Sequence, residues 1–240
     1  PGKSKAYEYD IMELENYTRD KEWMPKVVMI AKNVYVWMDQ LSKKYKRSIT
    51  MLYEIPNEEL DQLKEWGFTG LWLIGLWERS QASKTIKRWC GNPEAEASAY
   101  STYDYTIAHD LGGYESYKNL RDRAMARGIR LACDMVPNHT GIVSKWIVEH
   151  PEWYVSLHYP PFPSYSYSGE NLSGDPNKGI FLEDKYFSRT DAAVTFKHVD
   201  FRTGEEKYIY HGNDGTSFPW NDTAQLNFLK SFYLTVSKHG

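Results

Sequence analysis

The sequence predicts an α/β fold built from right-handed βαβ units, and three observations carry that prediction. Two short apolar runs, residues 68–77 and 129–136, have the near-continuous hydrophobicity of strands buried on both faces of a parallel sheet. Ahead of each, apolar residues recur at intervals of three and four, as on one face of a helix. The second run ends in Cys133-Asp134-Met135-Val136-Pro137-Asn138-His139, a carboxylate, an amide and an imidazole where a buried strand stops. Ligands of parallel α/β folds bind beyond the carboxyl ends of the strands, so this stretch is the first candidate site.

Taken in order, residues 1–25 mix charge and aromatics without a period and read as a leading segment. Val27-Val28-Met29-Ile30 and Val34-Tyr35-Val36-Trp37 are rich in β-branched and aromatic residues and predict strand. Pro56-Asn57 predicts a helix start with Asn57 as N-cap; Leu60, Leu63 and Trp66 follow at helical spacing, and Gly67 closes the helix. After the strand at 68–77 a loop is expected to about Gly113. Tyr114, Tyr117, Leu120 and Ala124 then predict a second helix that ends at Gly128 and feeds the strand at 129–136. The order strand, helix, strand, helix, strand is that of consecutive βαβ units.

Past His139 the composition changes. Residues 140–222 are rich in proline and tyrosine and carry turn signals such as Asn213-Asp214-Gly215, which predicts an irregular, partly β insertion. A helical stripe is expected from Ala224, through Leu226, Leu229, Phe232, Tyr233 and Val236.

Composition narrows the function classes. Of the 240 residues 41% are apolar and 15% aromatic, so a substantial core is expected. A formal net charge of -3 gives no basic footprint, which argues against nucleic acid and anionic membrane surfaces as partners and favours neutral substrates. No apolar run approaches the roughly 18 to 20 residues of a spanning helix, and Pro1-Gly2-Lys3-Ser4-Lys5 lacks the apolar core of a signal peptide. Two cysteines, Cys90 and Cys133, without a CxxC pair, argue against a disulfide framework or a zinc site. Together these lean toward a cytoplasmic location, with Cys133 expected as a buried packing thiol.

Three motifs, in order, now resemble the α-amylase family of glycoside hydrolases. Asp134-x-x-x-Asn138-His139 matches the family's first signature. Upstream, Ala99-Tyr100-Ser101-Thr102-Tyr103-Asp104-Tyr105, with Gly112-Gly113 closing the loop, resembles its tyrosine-bearing loop. Downstream, Thr223-Ala224-Gln225-Leu226-Asn227-Phe228 resembles the signature that ends the family's domain B. The resemblance, over about residues 26–240, implies the N-terminal part of a (β/α)8 TIM barrel. Residues 26–139 would supply strands 1–3 and their helices, 140–222 domain B, and 223–240 the return to the barrel and the helix before the fourth strand.

The resemblance also implies roles. Asp134 is expected to be a supporting, structural and electrostatic carboxylate. His139 is expected to hydrogen-bond the sugar beside the scissile bond, and Tyr100 to stack beneath the sugar ring. Asn138 matches a position that coordinates calcium in many members, with Asp175, Asp184 and Asp191 as candidate partners; the alternative is an amide hydrogen bond across the domain junction. The acidic residue that members acting on short oligosaccharides often carry three positions before the tyrosine is here Ala97, which puts recognition of a terminal glucose in doubt. Glu78 or Arg79 is expected to line the cleft or to form a structural ion pair, and the aromatic segment 159–167 to pack on itself or to bind glucan.

In this family the nucleophile sits on the fourth strand, the acid on the fifth and a third carboxylate near the seventh. None of the three is therefore expected in these 240 residues, which are expected to need the remainder of the barrel to fold stably and to act. The resemblance implies a retaining glycosidase acting on α-glucans or malto-oligosaccharides. Glucan transfer, trehalose-forming isomerisation and a non-catalytic carbohydrate-binding or scaffold protein are the alternatives.

Overall fold

The computed structural model describes residues 23–188, 193–215 and 218–229, with the side chains of 187 and 188 outside that description. Strand β1, Met29–Asn33, leads into helix α1, Val34–Tyr45, because the Asn33 side chain accepts the Val36 N–H at 3.2 Å and caps it. The strand expected at Val34 to Trp37 is therefore helix. Val34, Trp37, Met38 and Leu41 recur at i, i+3, i+4 and i+7, so a buried helical stripe overrides the β preference of the valines.

Helix α2, Asn57–Glu65, buries Leu60 and Leu63 and leaves Trp66 exposed. Its N-cap is Pro56, not Asn57; the Asn57 amide oxygen instead accepts from Arg123 at 3.0 Å. Strand β2, Gly70–Ile74, is shorter than the apolar run that predicts it. The run breaks at Gly75, and a separate strand β3, Trp77–Arg79, pairs antiparallel with β4, Thr102–Ile107. The segment expected as loop between them also holds helix α3, Gln81–Trp89. Helix α4, Gly113–Met125, then feeds strand β5, Arg130–Cys133.

The three strands β1, β2 and β5 form a parallel sheet in that order, with Ile30, Leu71 and Leu131 in register. Leu71 and Leu73 point to the side where Val34, Trp37, Leu41, Leu60, Leu63, Leu120 and Ala124 pack, and each buried leucine contributes about 1.5–3 kcal/mol. The expectation of burial on both faces fails on the other side, where Ala31, Asn33 and Trp72 are exposed, Trp72 by 37%. Cys133, expected buried, is also exposed, because it lies on the edge strand of the described sheet.

Strand β6, His139–Gly141, pairs antiparallel with β11, Thr223–Gln225, placing Gln225 opposite His139 and zipping the two ends of the intervening segment together. Over residues 224–229 the helix expected from Ala224 is instead strand to Gln225, a bridge from Leu226 to Tyr154, and a turn at 228–229. Phe232, Tyr233 and Val236 lie outside the described residues, as does most of the leading segment.

Between these ends run β7, Ser156–Leu157, β8, Lys178–Phe181, β9, Thr195–Asp200, and β10, Glu205–Tyr210. They form an antiparallel sheet in the order β7-β10-β9-β8. A second core of Ile142, Ile147, Tyr154, Ile180, Phe196, Ile209 and Leu226 receives Ala82 and Ile86 of α3, so the insertion is anchored on the helix that follows β3. The aromatic segment packs on itself, Phe162 meeting Tyr165 at 5.1 Å, and on the sheet, where Tyr167 meets Tyr208 at 5.3 Å and the Thr195 hydroxyl at 2.9 Å. Tyr159, at its start, is exposed.

Candidate active site

Beyond the end of β5 the chain is held by side chains rather than by a strand partner. Asp134, nearly buried, accepts from the Trp72 indole N–H at 3.0 Å through Oδ1 and from the Gly75 N–H at 3.1 Å through Oδ2. Its carbonyl accepts from the Trp77 indole at 2.6 Å. Asp134 therefore ties β5 to the end of β2. Gly75 has φ +84°, and a Cβ there would sit 2.3 Å from Arg79 Nη2, so any other residue would be strained and would displace the guanidinium.

Arg79 makes no pair with Glu78. Its guanidinium donates to the carbonyls of Ala97 at 2.9 Å and Gly75 at 3.2 Å and lies 4.3 Å from the Tyr35 ring centre, and burial holds its pKa below the ordinary value. The Glu78 carboxylate accepts the His109 N–H at 2.8 Å. These contacts fix the loop carrying Tyr100, a residue that is 46% exposed. Ser101, next along, donates to the carbonyl of Asp222 at 2.7 Å, and Ser83 donates to the Asp222 carboxylate at 2.6 Å.

His139 is buried, and its Nε2–H donates to the carbonyl of Tyr100 at 3.1 Å. Its Nδ1 accepts from Asn138 Nδ2 at 3.3 Å. Burial holds its pKa below the ordinary histidine value, against the opposing pull of the Tyr100 carbonyl and the Asp222 charge. The Trp220 ring lies 5.2 Å from the imidazole. Gly212 passes so close that a Cβ would meet His139 Cβ at 3.2 Å. Tyr100, Asn138 and His139 are thus brought together at the strand end, with Asp134 buried just before them. Trp220 is a neighbour that the sequence reading missed; its one signal is its place three residues before Thr223, where the third motif begins.

Asn138 forms a reciprocal amide pair with Gln225, its Oδ1 accepting from Nε2 at 3.0 Å and its Nδ2 donating to Oε1 at 3.2 Å. That is the bond across the junction, and it occupies the oxygen a calcium ion would need. Asp175 accepts the Asn177 N–H, and Asp184 accepts from Ser166 and Ser168. Among the described residues no three His, Cys, Asp or Glu side chains converge to hold a metal, and Asp191 lies outside them. Among the described residues the donor set around Asn138 lacks the carboxylates of a calcium site.

The family model for the alpha-amylase catalytic domain matches residues 56–234, which takes in all three motifs and the site just described. The chain belongs to the α-amylase family. Its parallel sheet is part of a TIM barrel, which the described residues do not close. Among solved structures, the trehalose-6-phosphate hydrolase of Bacillus licheniformis is similar over 90% of this chain and 32% of its own, with a TM-score of 0.52 and 16% identity. An alpha-amylase from Lactobacillus plantarum gives 0.44 and 18% identity over 78% of this chain and 30% of its own. Isomaltulose synthase from Klebsiella sp. LX3 gives 0.44 and 18% over 78% and 27%. This α-amylase-family chain therefore spans about a third of the length of the solved structures it matches. No curated protein matches it.

Proposed function

We propose that the chain is the substrate-positioning part of a retaining glycosidase that acts on α-linked glucans or malto-oligosaccharides. The observation that carries this reading is that the exposed Tyr100 and the buried His139 are joined at the strand end, the His139 Nε2–H donating to the Tyr100 carbonyl. A flat aromatic face suits the C–H side of a sugar ring, and the Nε2–H would serve a sugar oxygen by exchanging the Tyr100 carbonyl for it. Asp134 supports both by holding the turn after β2 against the end of β5.

Residues 26–139 take the place of the first three barrel strands and their helices, 140–222 that of domain B, and 223–240 that of the return to the barrel. The exposed sheet face bearing Ala31 and Trp72 is then the barrel interior, which the later strands cover. Those strands supply the nucleophile and the acid/base, two carboxylates about 5–5.5 Å apart in a double displacement. Transfer to a sugar acceptor and trehalose-forming isomerisation use the same positioning groups.

Steady-state kinetics of the full-length protein on maltotriose test the reading. Tyr100→Ala is expected to raise KM about 10-fold, and His139→Asn to lower kcat/KM about 100-fold. Unchanged constants in both variants would sink it. One observation favours a non-catalytic carbohydrate-binding relative instead: both ring nitrogens of His139 already have protein partners. Maltotriose binding by calorimetry with no turnover would select that reading.

A further inference from the structure

A run of hydrogen bonds with fixed polarity connects the main chain to His139. The carbonyl of Tyr100 can only accept, so Nε2, 3.1 Å away, carries a proton. In the neutral ring Nδ1 is then an acceptor, and the Asn138 atom facing it at 3.3 Å is the donor Nδ2. The second hydrogen of Nδ2 goes to Gln225 Oε1 at 3.2 Å, which leaves Asn138 Oδ1 to receive Gln225 Nε2 at 3.0 Å. Gln225 is in turn oriented by groups that cannot reverse their roles. Its Nε2 donates to the main-chain carbonyl of Asn138 at 2.9 Å, and its Oε1 accepts the main-chain N–H of Asn213 at 3.4 Å.

We infer that Gln225 is a positioning residue that turns Asn138 Nδ2 toward His139 Nδ1, so that the Asn138 amide and the Tyr100 carbonyl together hold His139 in the tautomer with its proton on Nε2 and its lone pair on Nδ1. Turning the Gln225 amide would set oxygen against the Asn138 carbonyl and nitrogen against the Asn213 N–H. Turning the Asn138 amide would set its oxygen against the Nδ1 lone pair. Each link therefore passes the polarity of the main chain to the next, and β11 carries Gln225 into reach because it pairs directly opposite His139. The inference rests on the proposed function only in its last step, that the Nε2–H is the group presented to a sugar oxygen.

The test is nitrogen NMR of the full-length protein labelled at the histidine ring nitrogens, with the His139 signals assigned from their loss in His139→Asn. The wild-type ring is expected to carry one proton, on Nε2. Gln225→Glu removes the donor that faces Asn138 Oδ1, so the amide loses the bond that sets its orientation, and the added carboxylate charge favours a proton on Nδ1. Gln225→Met keeps the volume without polarity or charge and is the control: the Tyr100 carbonyl is expected to keep the proton on Nε2 and leave Nδ1 unprotonated. Asn138→Asp places an acceptor directly against Nδ1 and is expected to protonate it even if Gln225→Glu fails to fold. A proton on Nδ1 in the wild type, or a wild-type ring spectrum in folded Gln225→Glu or Asn138→Asp, would overturn the inference. A moved proton with an unchanged KM for maltotriose would uphold the relay and count against the sugar-binding reading alone.

Discussion

The hydroxyl of Tyr105 lies 2.9 Å from both the amide nitrogen and the carbonyl oxygen of Val136. It accepts from one and donates to the other, so a single side chain takes the place of a strand partner just after β5 ends at Cys133. Trp77 packs edge-on against the Tyr105 ring at 5.3 Å while its indole holds the Asp134 carbonyl, and the path from Asp134 to His139 is set by these two residues. Tyr105→Phe removes only the oxygen and leaves two main-chain groups without that partner. A stability loss of about 1–3 kcal/mol is expected by urea denaturation of the full-length protein; a loss near zero would mean that water replaces the hydroxyl.

Asp134 uses both carboxylate oxygens as acceptors, one for Trp72 and one for Gly75. Asp134→Asn turns an amide NH2 toward one of those donors and is expected to cost about 2–3 kcal/mol. Trp72→Phe removes a single donor and should cost less in the same melting experiment. The reverse order would contradict the central place given to Asp134.

Two glycines separate backbone strain from steric conflict. Gly67 and Gly75 have φ of +83° and +84°, but only Gly75 has Arg79 where a Cβ would stand. Gly67→Ala is expected to cost about 1–2 kcal/mol from strain alone. Gly75→Ala should cost clearly more, because it also displaces the guanidinium from the carbonyls of Gly75 and Ala97. Equal losses by chemical denaturation would show that Arg79 moves aside freely.

The protein is expected to lose stability as pH falls below neutrality. His198 and His211 are 2% and 3% exposed, and burial pushes each pKa down to about 4. Lys178 and Lys207 push His198 further the same way, against Asp200 and Glu205, while the Thr223 carbonyl and Asp222 partly oppose the shift at His211. Among the described residues neither Nε2 has a hydrogen-bond partner. The unfolded chain, with ordinary histidines near 6.5, takes up protons first. The stabilisation is therefore complete above about pH 6.5 and is lost between there and pH 4, at about 3 kcal/mol per histidine. Urea denaturation at pH 7 and pH 4.5 checks this, and His198→Gln is expected to flatten the dependence.

The sequence by itself determined the strand that stops just before Asp134, though not its end, the helix 113–125 ahead of it, the change of character after His139 and the family, because each rests on local periodicity or on residues close together in the chain. It misread Val34 to Trp37 as strand and the segment after Ala224 as helix, since short apolar stretches take the form that their packing partners demand. Candidate site residues Tyr100, Asp134, Asn138 and His139 were legible as side chains but not as contacts. Only the tertiary structure decided that Trp72 and Trp77 hold Asp134 across about sixty residues of chain, that Arg79 serves two carbonyls rather than Glu78, and that Gln225 reaches Asn138 across the closed ends of the insertion. Hydrogen-bond polarity depends on which donor meets which acceptor in space, and that meeting is fixed by strand pairing and core packing rather than by neighbours in the chain.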